Sequence, residues 1–296
     1  MISIKEVLIQ GLRNIYYNLK LVLLLWGTNA ISAFILTVPL YYVLVEDLKR
    51  SILSDVIAVK FDYLWYMQFH NNYKTTVGEI PLVIYSVVGV YALIQTFYLG
   101  GLIAVFNNPA KNHMVDFFFG GVKYWLRFTK ILLISLVLFA AAIFINDMLG
   151  ESISIIFKDT EYELSEFILR SIRYVLFIFF IGVITIISDY SKVALAVKDR
   201  ENVWRCIYYA IIFIKKNFSK VFIVFLIVSI IGALGSILYN FLGREIPRTP
   251  FYFLVLSFIL QQMLIIFRLV VRMLFCATEV VLYNDLSADF VKPIEN

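Results

Sequence analysis

The stretch "LRSIRYVLFIFFIGVITIISDYSKVALAV" (residues 169–197) is almost entirely apolar up to the Asp and Lys near its end. A helix of about 20 residues, rising 1.5 Å per residue, crosses the roughly 30 Å of hydrocarbon in a bilayer. The stretch is longer than that. It therefore predicts a membrane-spanning helix whose last turns project beyond the hydrocarbon.

Composition extends this interpretation to the whole chain. Hydrophobic residues make up 61% of the 296 residues, charged residues 16%, and the mean hydropathy is +0.86, whereas soluble domains have about 45 to 50% apolar and about 25% charged residues. We expect an all-α membrane protein with one membrane domain over residues 1–296 and an uncleaved first span. The predicted spans are residues 21–45, 80–106, 128–149, 169–197, 220–242 and 251–275.

The positive charges are unevenly distributed between the two sides of these spans. Of the 26 Lys and Arg residues, 17 lie on the side that carries both termini. Because Lys and Arg are enriched in cytoplasmic loops, both termini are predicted to be cytoplasmic. The net charge of +5 is explained by this topology, so a nucleic-acid partner is not expected.

A pattern recurs three times along the chain with a period of about 90 residues. Each unit begins with a helical segment that ends in basic residues and is predicted to lie in the membrane interface, with Lys20, Lys130 and Lys220 where the chain turns into a span. The segments are "IKEVLIQGLRNIYYNLKLVLLL", "MVDFFFGGVKYWLRFTKILLIS" and "VWRCIYYAIIFIKKNFSKVFIVFL". The sequence thus predicts three tandem repeats of an amphipathic interfacial helix plus a transmembrane hairpin, at about 1–108, 109–199 and 200–296.

Five charged residues stand near the predicted cytoplasmic ends of spans 4 and 6. They are Asp189, Lys192, Arg268, Arg272 and Glu279. A charge close to hydrocarbon needs a partner, so Asp189 is predicted to pair with Arg272 or with Arg268. Two interpretations remain open: the charges satisfy one another at helix ends, or they line a cytoplasm-facing polar cavity that holds a lipid head group or a small solute.

Other polar and aromatic residues point to packing and to the membrane surface. Gln261 and Gln262 lie near the middle of span 6, where amide side chains form hydrogen bonds between helices. The small residues of "GALGS" (232–236) predict close helix packing. The aromatic segment "KFDYLWYMQFHNNY" (60–73) is expected to lie at the level of the lipid head groups.

Enzyme motifs are missing from the sequence. It contains no GxSxG, P-loop or HExxH motif, and its two histidines, His70 and His113, are predicted to lie on opposite sides of the membrane. Cys206 and Cys276 form no CxxC pattern. We therefore predict no catalytic residues, no cofactor and no metal site, and the sequence favours a protein that is not an enzyme, without excluding an intramembrane enzyme of a new kind.

The stretch "SDYSKVALAVKDRENVWRCIYYAIIFIKKNFSKVF" (188–222) carries a family resemblance. It has an Asp near the end of span 4, a Lys-Asp-Arg turn at 198–200, and a helix ending in basic residues. This arrangement resembles uncharacterised bacterial six-helix inner-membrane proteins, which are similar to the membrane domain fused to some glycerophosphodiester phosphodiesterases. The resemblance implies a location in the bacterial inner membrane and an envelope- or lipid-related role.

Two hypotheses for the function follow. The first is non-enzymatic binding or transport of a lipid or amphiphile through a cytoplasm-facing cavity, with membrane lipids as partners. The second is an accessory or scaffold subunit of a membrane complex, with other subunits as partners. A binding site requires an open cavity of about 300 Å³ or more, whereas a scaffold is expected to hold its charges in closed pairs.

Overall fold

A computed structural model describes residues 2–48, 57, 62–108, 113–158, 163–199, 202–247 and 251–288. Helices account for nearly all of these residues, and none of them forms a strand. Arg200, in the turn at 198–200, and Lys60, at the start of the aromatic segment, lie outside the described residues. The helices within the described ranges are α1 (Ile4–Tyr17), α2 (Leu19–Leu48), α3 (Tyr63–Asn72), α4 (Lys74–Asn107), α5 (His113–Ile156), α6 (Glu163–Val197), α7 (Val203–Lys216), α8 (Phe218–Glu245) and α9 (Phe251–Ala288).

Six of these helices are long and apolar enough to cross a membrane, namely α2, α4, α5, α6, α8 and α9. The prediction of an all-α chain with six apolar spans is therefore confirmed. The chain is that of a multi-pass membrane protein. Nearly every helix is longer than the span predicted for it. The 44 residues of α5 measure about 66 Å at 1.5 Å per residue, which is about twice the thickness of the hydrocarbon.

Asparagines separate the first and the last of the three predicted interfacial helices from the spans that follow. Asn18 lies between α1 and α2, and its N–H bonds to the carbonyl of Ile15 at 2.8 Å. Asn217 lies between α7 and α8, and its side-chain amide donates to the carbonyl of Phe213 at 3.1 Å. Because an Asn side chain offers local hydrogen bonds that compete with the helix, it ends a helix readily.

The second predicted interfacial helix does not end before its span. Helix α5 runs through Lys130 without a break, so the corner predicted there is wrong. The segment "LRFTKIL" around Lys130 contains no Asn, Gly or Pro that would interrupt the helix. The interfacial location of α1 and α7 and the threefold repeat stay predictions.

The chain forms two compact units. Unit 1 comprises Met1–Asn14, Thr96–Leu226 and Phe275–Asn296, and unit 2 comprises Ile15–Gln95 and Ile227–Leu274, as far as these residues are described. Helices α1, α4, α8 and α9 contribute residues to both units.

Glycines bring α4 and α5 into close contact in unit 1. A Cβ atom added at Gly101 would lie 2.5 Å from the carbonyl oxygen of Phe117, and one added at Gly120 would lie 2.3 Å from the Cβ of Ala104. The hydroxyl of Tyr124, on the same part of α5, donates to the carbonyl of Ala196 on α6 at 3.2 Å. Close approach through small residues is a common way for membrane helices to pack.

Buried residues are concentrated in one half of each spanning helix. All buried residues of α6 lie between Ile186 and Ala196, and those of α9 begin at Leu269. In α2, α5 and α8, the buried residues lie mainly in the first half instead. In each helix this half is the one at the end that the sequence predicts to be cytoplasmic.

The glycine contact between α4 and α5 gives a first prediction. In Gly101→Ala, the new methyl group has no room beside Phe117, so the free energy of unfolding should fall by about 1 to 3 kcal/mol, as for other overpacked sites. Gly89→Ala, on the same helix, is the control because nothing lies within 4 Å of the added Cβ. Thermal unfolding in detergent would measure this loss of stability. Equal melting temperatures for Gly101→Ala and Gly89→Ala would contradict the prediction.

Candidate functional site

The five charged residues predicted for the site and the two glutamines predicted for helix packing belong to two different units. Asp189, Lys192 and Glu279 lie in unit 1, whereas Arg268, Arg272, Gln261 and Gln262 lie in unit 2. A pairing of Asp189 with Arg272 or Arg268 would link one unit to the other, and it stays a prediction.

In unit 1, Asp189 forms an ion pair within its own helix. The Nζ atom of Lys192 lies 2.8 Å from Oδ1 of Asp189, one turn away on α6. The Lys192 side chain is 9% exposed and that of Asp189 is 27% exposed. The spacing of three residues places both side chains on one face of the helix, which allows the pair to form. This pair is therefore closed and largely withdrawn from solvent.

A second carboxylate lies close to this pair. Glu279 of α9 is 7% exposed, and it lies within electrostatic reach of Asp189 and Lys192. Among the residues that the structure describes, it forms no hydrogen bond or ion pair. We call Asp189, Lys192 and Glu279 the unit 1 charge cluster. Its single ammonium group faces two carboxylates, so the cluster depends on Lys192.

Another ion pair in unit 1 joins α5 to the turn after α6. Nζ of Lys123 lies 2.7 Å from Oδ2 of Asp199, and the guanidinium of Arg127 lies 3.8 Å from Oδ1. Asp199 has a φ of 47°, a left-handed conformation that Asp adopts more readily than most residues. This turn is therefore held by a charge contact as well as by its backbone.

Polar contacts in unit 2 join its helices. The indole N–H of Trp26 on α2 donates to Oε1 of Gln262 on α9 at 3.0 Å. Tyr91 on α4 donates its hydroxyl to Asn29 on α2, while Gln261 is exposed. Such bonds satisfy polar side chains that would otherwise face hydrocarbon.

The two arginines of unit 2 differ in their surroundings. Arg272 donates to Oε1 of Gln95 on α4. Arg268, one turn earlier on α9, is exposed and reaches Oγ of Ser236 at only 3.5 Å. Arg268 forms no ion pair with any described carboxylate.

Two open hollows lie beside the contact between helices α2 and α4 in unit 2. Their volumes are about 270 Å³ and about 230 Å³, and Ser32, Val87 and Tyr91 line both. We call the two hollows together the α2–α4 groove. The larger hollow is lined by Thr28, Ile31, Ser32, Ile35, Ser86, Val87, Val90, Tyr91 and Ile94.

The hydroxyl groups in the lining add little polarity to this groove. Thr28 donates to the carbonyl of Leu25 at 2.9 Å, and Ser86 donates to that of Leu82 at 2.8 Å. Since the hydroxyl protons of Thr28 and Ser86 bond to the helix backbone and that of Tyr91 bonds to Asn29, the wall presents mainly methyl and methylene groups. The groove therefore suits a hydrocarbon chain better than a polar solute.

Sequence reasoning did not identify the groove. None of the sequence patterns described above includes Thr28, Asn29, Ser86 or Tyr91. The sequence does contain one indication of the groove. Thr28 and Ser32 are four residues apart, so both small polar side chains lie on one face of α2, and the next span carries Ser86.

The unit 1 charge cluster gives a second prediction. Lys192→Met leaves two carboxylates without their ammonium partner, so the free energy of unfolding should fall. The loss should be smaller than the about 3 to 5 kcal/mol typical of a fully buried pair, because Asp189 is partly exposed. Thermal unfolding in detergent is the measurement.

Two further variants serve as controls for this prediction. Adding Asp189→Asn to Lys192→Met should recover part of the lost stability, since one uncompensated charge is removed. Lys198→Met removes an exposed ammonium near the end of the same helix and should have little effect. A Lys192→Met protein as stable as the parent would show that the cluster does not need its lysine.

Comparison of the chain with protein-family models, curated proteins and solved structures gives no match. The resemblance to six-helix inner-membrane proteins therefore stays a prediction, and the functional argument depends on the geometry of the chain itself.

Proposed function

We propose that the protein is a membrane protein that binds a lipid or another amphiphile in the α2–α4 groove, without converting it chemically. The observation that supports this most is the groove itself. Its larger hollow, of about 270 Å³, approaches the lower end of the range of about 300 to 1,000 Å³ for small-molecule sites.

The position of the groove also favours a lipid ligand. Its walls belong to two helices that are long and apolar enough to cross the membrane, so an acyl chain can reach it from the bilayer without passing through water. Bonds between Asn29 and Tyr91, and between Trp26 and Gln262, fix the helices that surround it. A groove held open in this way requires little rearrangement on binding.

The wider form of this proposal includes transport. In it, the bound lipid or amphiphile is moved across a bacterial inner membrane in which both termini are cytoplasmic. Its support is the distribution of Lys and Arg along the sequence and the preference of intramembrane charges for functional sites.

Filling the groove tests the binding proposal. Ser32 lines both hollows, so in Ser32→Trp an indole should occupy the space of the acyl chain. Native mass spectrometry of the detergent-purified protein should then show one fewer retained lipid than in the parent. Val137→Trp on α5, at a position already exposed, should retain as many as the parent. If Ser32→Trp keeps every lipid, the groove is not the binding site.

A second function is favoured by one observation. The closed, largely buried pair of Asp189 and Lys192 is what we expect of charges with a structural role. The alternative is therefore an accessory or scaffold subunit, which would offer the exposed Trp204 and Tyr208 of α7 to a partner subunit.

A photo-crosslinking residue in place of Trp204 distinguishes the two functions. In native membranes, a scaffold that docks through α7 should give a defined protein adduct at this position. A helix that lies among lipid head groups should give lipid adducts only. The same residue in place of Ile145, an exposed position on α5, controls for nonspecific crosslinking, and mass spectrometry of the products is the measurement.

A further inference from the structure

We propose that the ligand of the α2–α4 groove is a phospholipid with a net negative head group, whose phosphate is bound by Arg268 together with Arg272 and Gln95. This inference rests on the proposed function, because it assigns a head group to a lipid whose chain lies in the groove.

Arg268 supplies the main cationic group. Its side chain is exposed on a spanning helix, and within the described part of the chain its sole hydrogen-bond partner is Oγ of Ser236, at the long distance of 3.5 Å. An unpaired guanidinium is unfavourable in hydrocarbon, by about 2.5 to 3.5 kcal/mol at the bilayer centre on insertion scales and by less towards the head groups. A phosphate, which accepts two parallel N–H bonds from one guanidinium, would remove this penalty.

Gln95 supplies an independent sign of a missing acceptor. Its side chain is 7% exposed, and its Oε1 accepts a bond from Arg272. Its Nε2 is buried and has no partner among the described residues. Buried amide N–H groups are nearly always satisfied in folded proteins. Arg268 and Nε2 of Gln95 thus offer N–H donors beside the positive charge of Arg272, and the acceptor that would suit them is an anion.

The depth of the arginines agrees with the level of lipid phosphates. Helix α9 begins at Phe251, and about 20 residues at 1.5 Å each cover the roughly 30 Å of hydrocarbon. Counted from Phe251, the hydrocarbon ends near Val271. Arg268 and Arg272 lie just before and just after that point, which is where the phosphate of a phospholipid is found.

The donors also lie beside the groove. Tyr91 and Ile94 line its larger hollow, and Gln95 follows on the same helix, one turn after Tyr91. One turn of helix is about 5.4 Å. A lipid with its phosphate at Gln95 and Arg272 can therefore place an acyl chain in the groove without leaving the surface of α4.

The absence of acidic residues in these helices favours a net negative head group over a zwitterionic one. Residues 19–45, 84–107, 227–242 and 251–274 contain no Asp or Glu. The amine of a zwitterionic head group would find no carboxylate within these four segments, whereas its phosphate would still find the arginines. Binding should thus distinguish lipids by net charge.

The experiment is a competition between two lipids with identical acyl chains, phosphatidylglycerol and phosphatidylcholine. The full-length protein in detergent is offered both, and native mass spectrometry measures the ratio that is retained. The parent should prefer phosphatidylglycerol, and Arg268→Gln should reduce this preference about tenfold, the size of one lost charge-assisted hydrogen bond. Arg268→Lys should retain part of the preference, because it keeps the charge but loses the bidentate geometry.

Controls separate this inference from the proposed function. Arg244→Gln changes an exposed arginine at the C-terminal end of α8 and should leave the preference unchanged. The melting temperature of each variant shows whether it is folded. A parent that retains both lipids equally would overturn the inference while the binding proposal stands. A parent that retains neither lipid would overturn both.

One further arm identifies the source of the phosphate. Soluble glycerol 1-phosphate carries the same anionic group without acyl chains, so it should not displace phosphatidylglycerol at equal concentration. Displacement would overturn the assignment to a lipid, because the site would then recognise a free phosphate ester.

Discussion

The thickness of the hydrocarbon is the constraint on which the rest of the structure depends. Every backbone N–H and C=O within it must be satisfied inside the chain, so the spans are helical. About 20 residues suffice to cross it, yet α5 has 44 residues and α9 has 38. The surplus turns must lie outside the hydrocarbon, and the packed core is formed mainly from the helix halves that include them.

The two units use polar residues differently. The core of unit 1 includes the ends of α6 and α9 and holds ionisable side chains such as Lys192 and Glu279. In unit 2, neutral side chains such as Gln262 and Asn29 join the helices. Arg268 and Arg272 are exceptions in unit 2, and Arg268 is the residue for which a ligand accounts best.

The number of spans and their approximate positions were predictable because hydropathy measures the same free energy that holds the helices in a bilayer. The Asp189–Lys192 pair was also predictable from the sequence, since the two residues lie three positions apart in one helical stretch. Depth along the helices alone favours a partner on another helix, Arg272 or Arg268, and that pairing stays a prediction. The unbroken course of α5 through Lys130 could also have been read from the lack of a helix-ending residue there.

The α2–α4 groove could not be predicted in the same way. Lipid tails and protein interiors are equally apolar, so hydropathy does not say which face of a span meets another helix. Residues such as Val87 and Ile35 are equally hydrophobic whether they line a groove, pack in a core or face lipid. Only the contacts of a folded chain distinguish these cases, as they did for Gly101 and Gly89.

The uninterrupted helix α5 has a mechanical consequence. Where Asn18 and Asn217 separate neighbouring helices, one helix can swing without dragging the next. Helix α5 has no such joint, so it behaves as a stiff rod from His113 to Ile156. A tilt of its end at Ile156 would therefore also displace Lys123, which contacts Asp199.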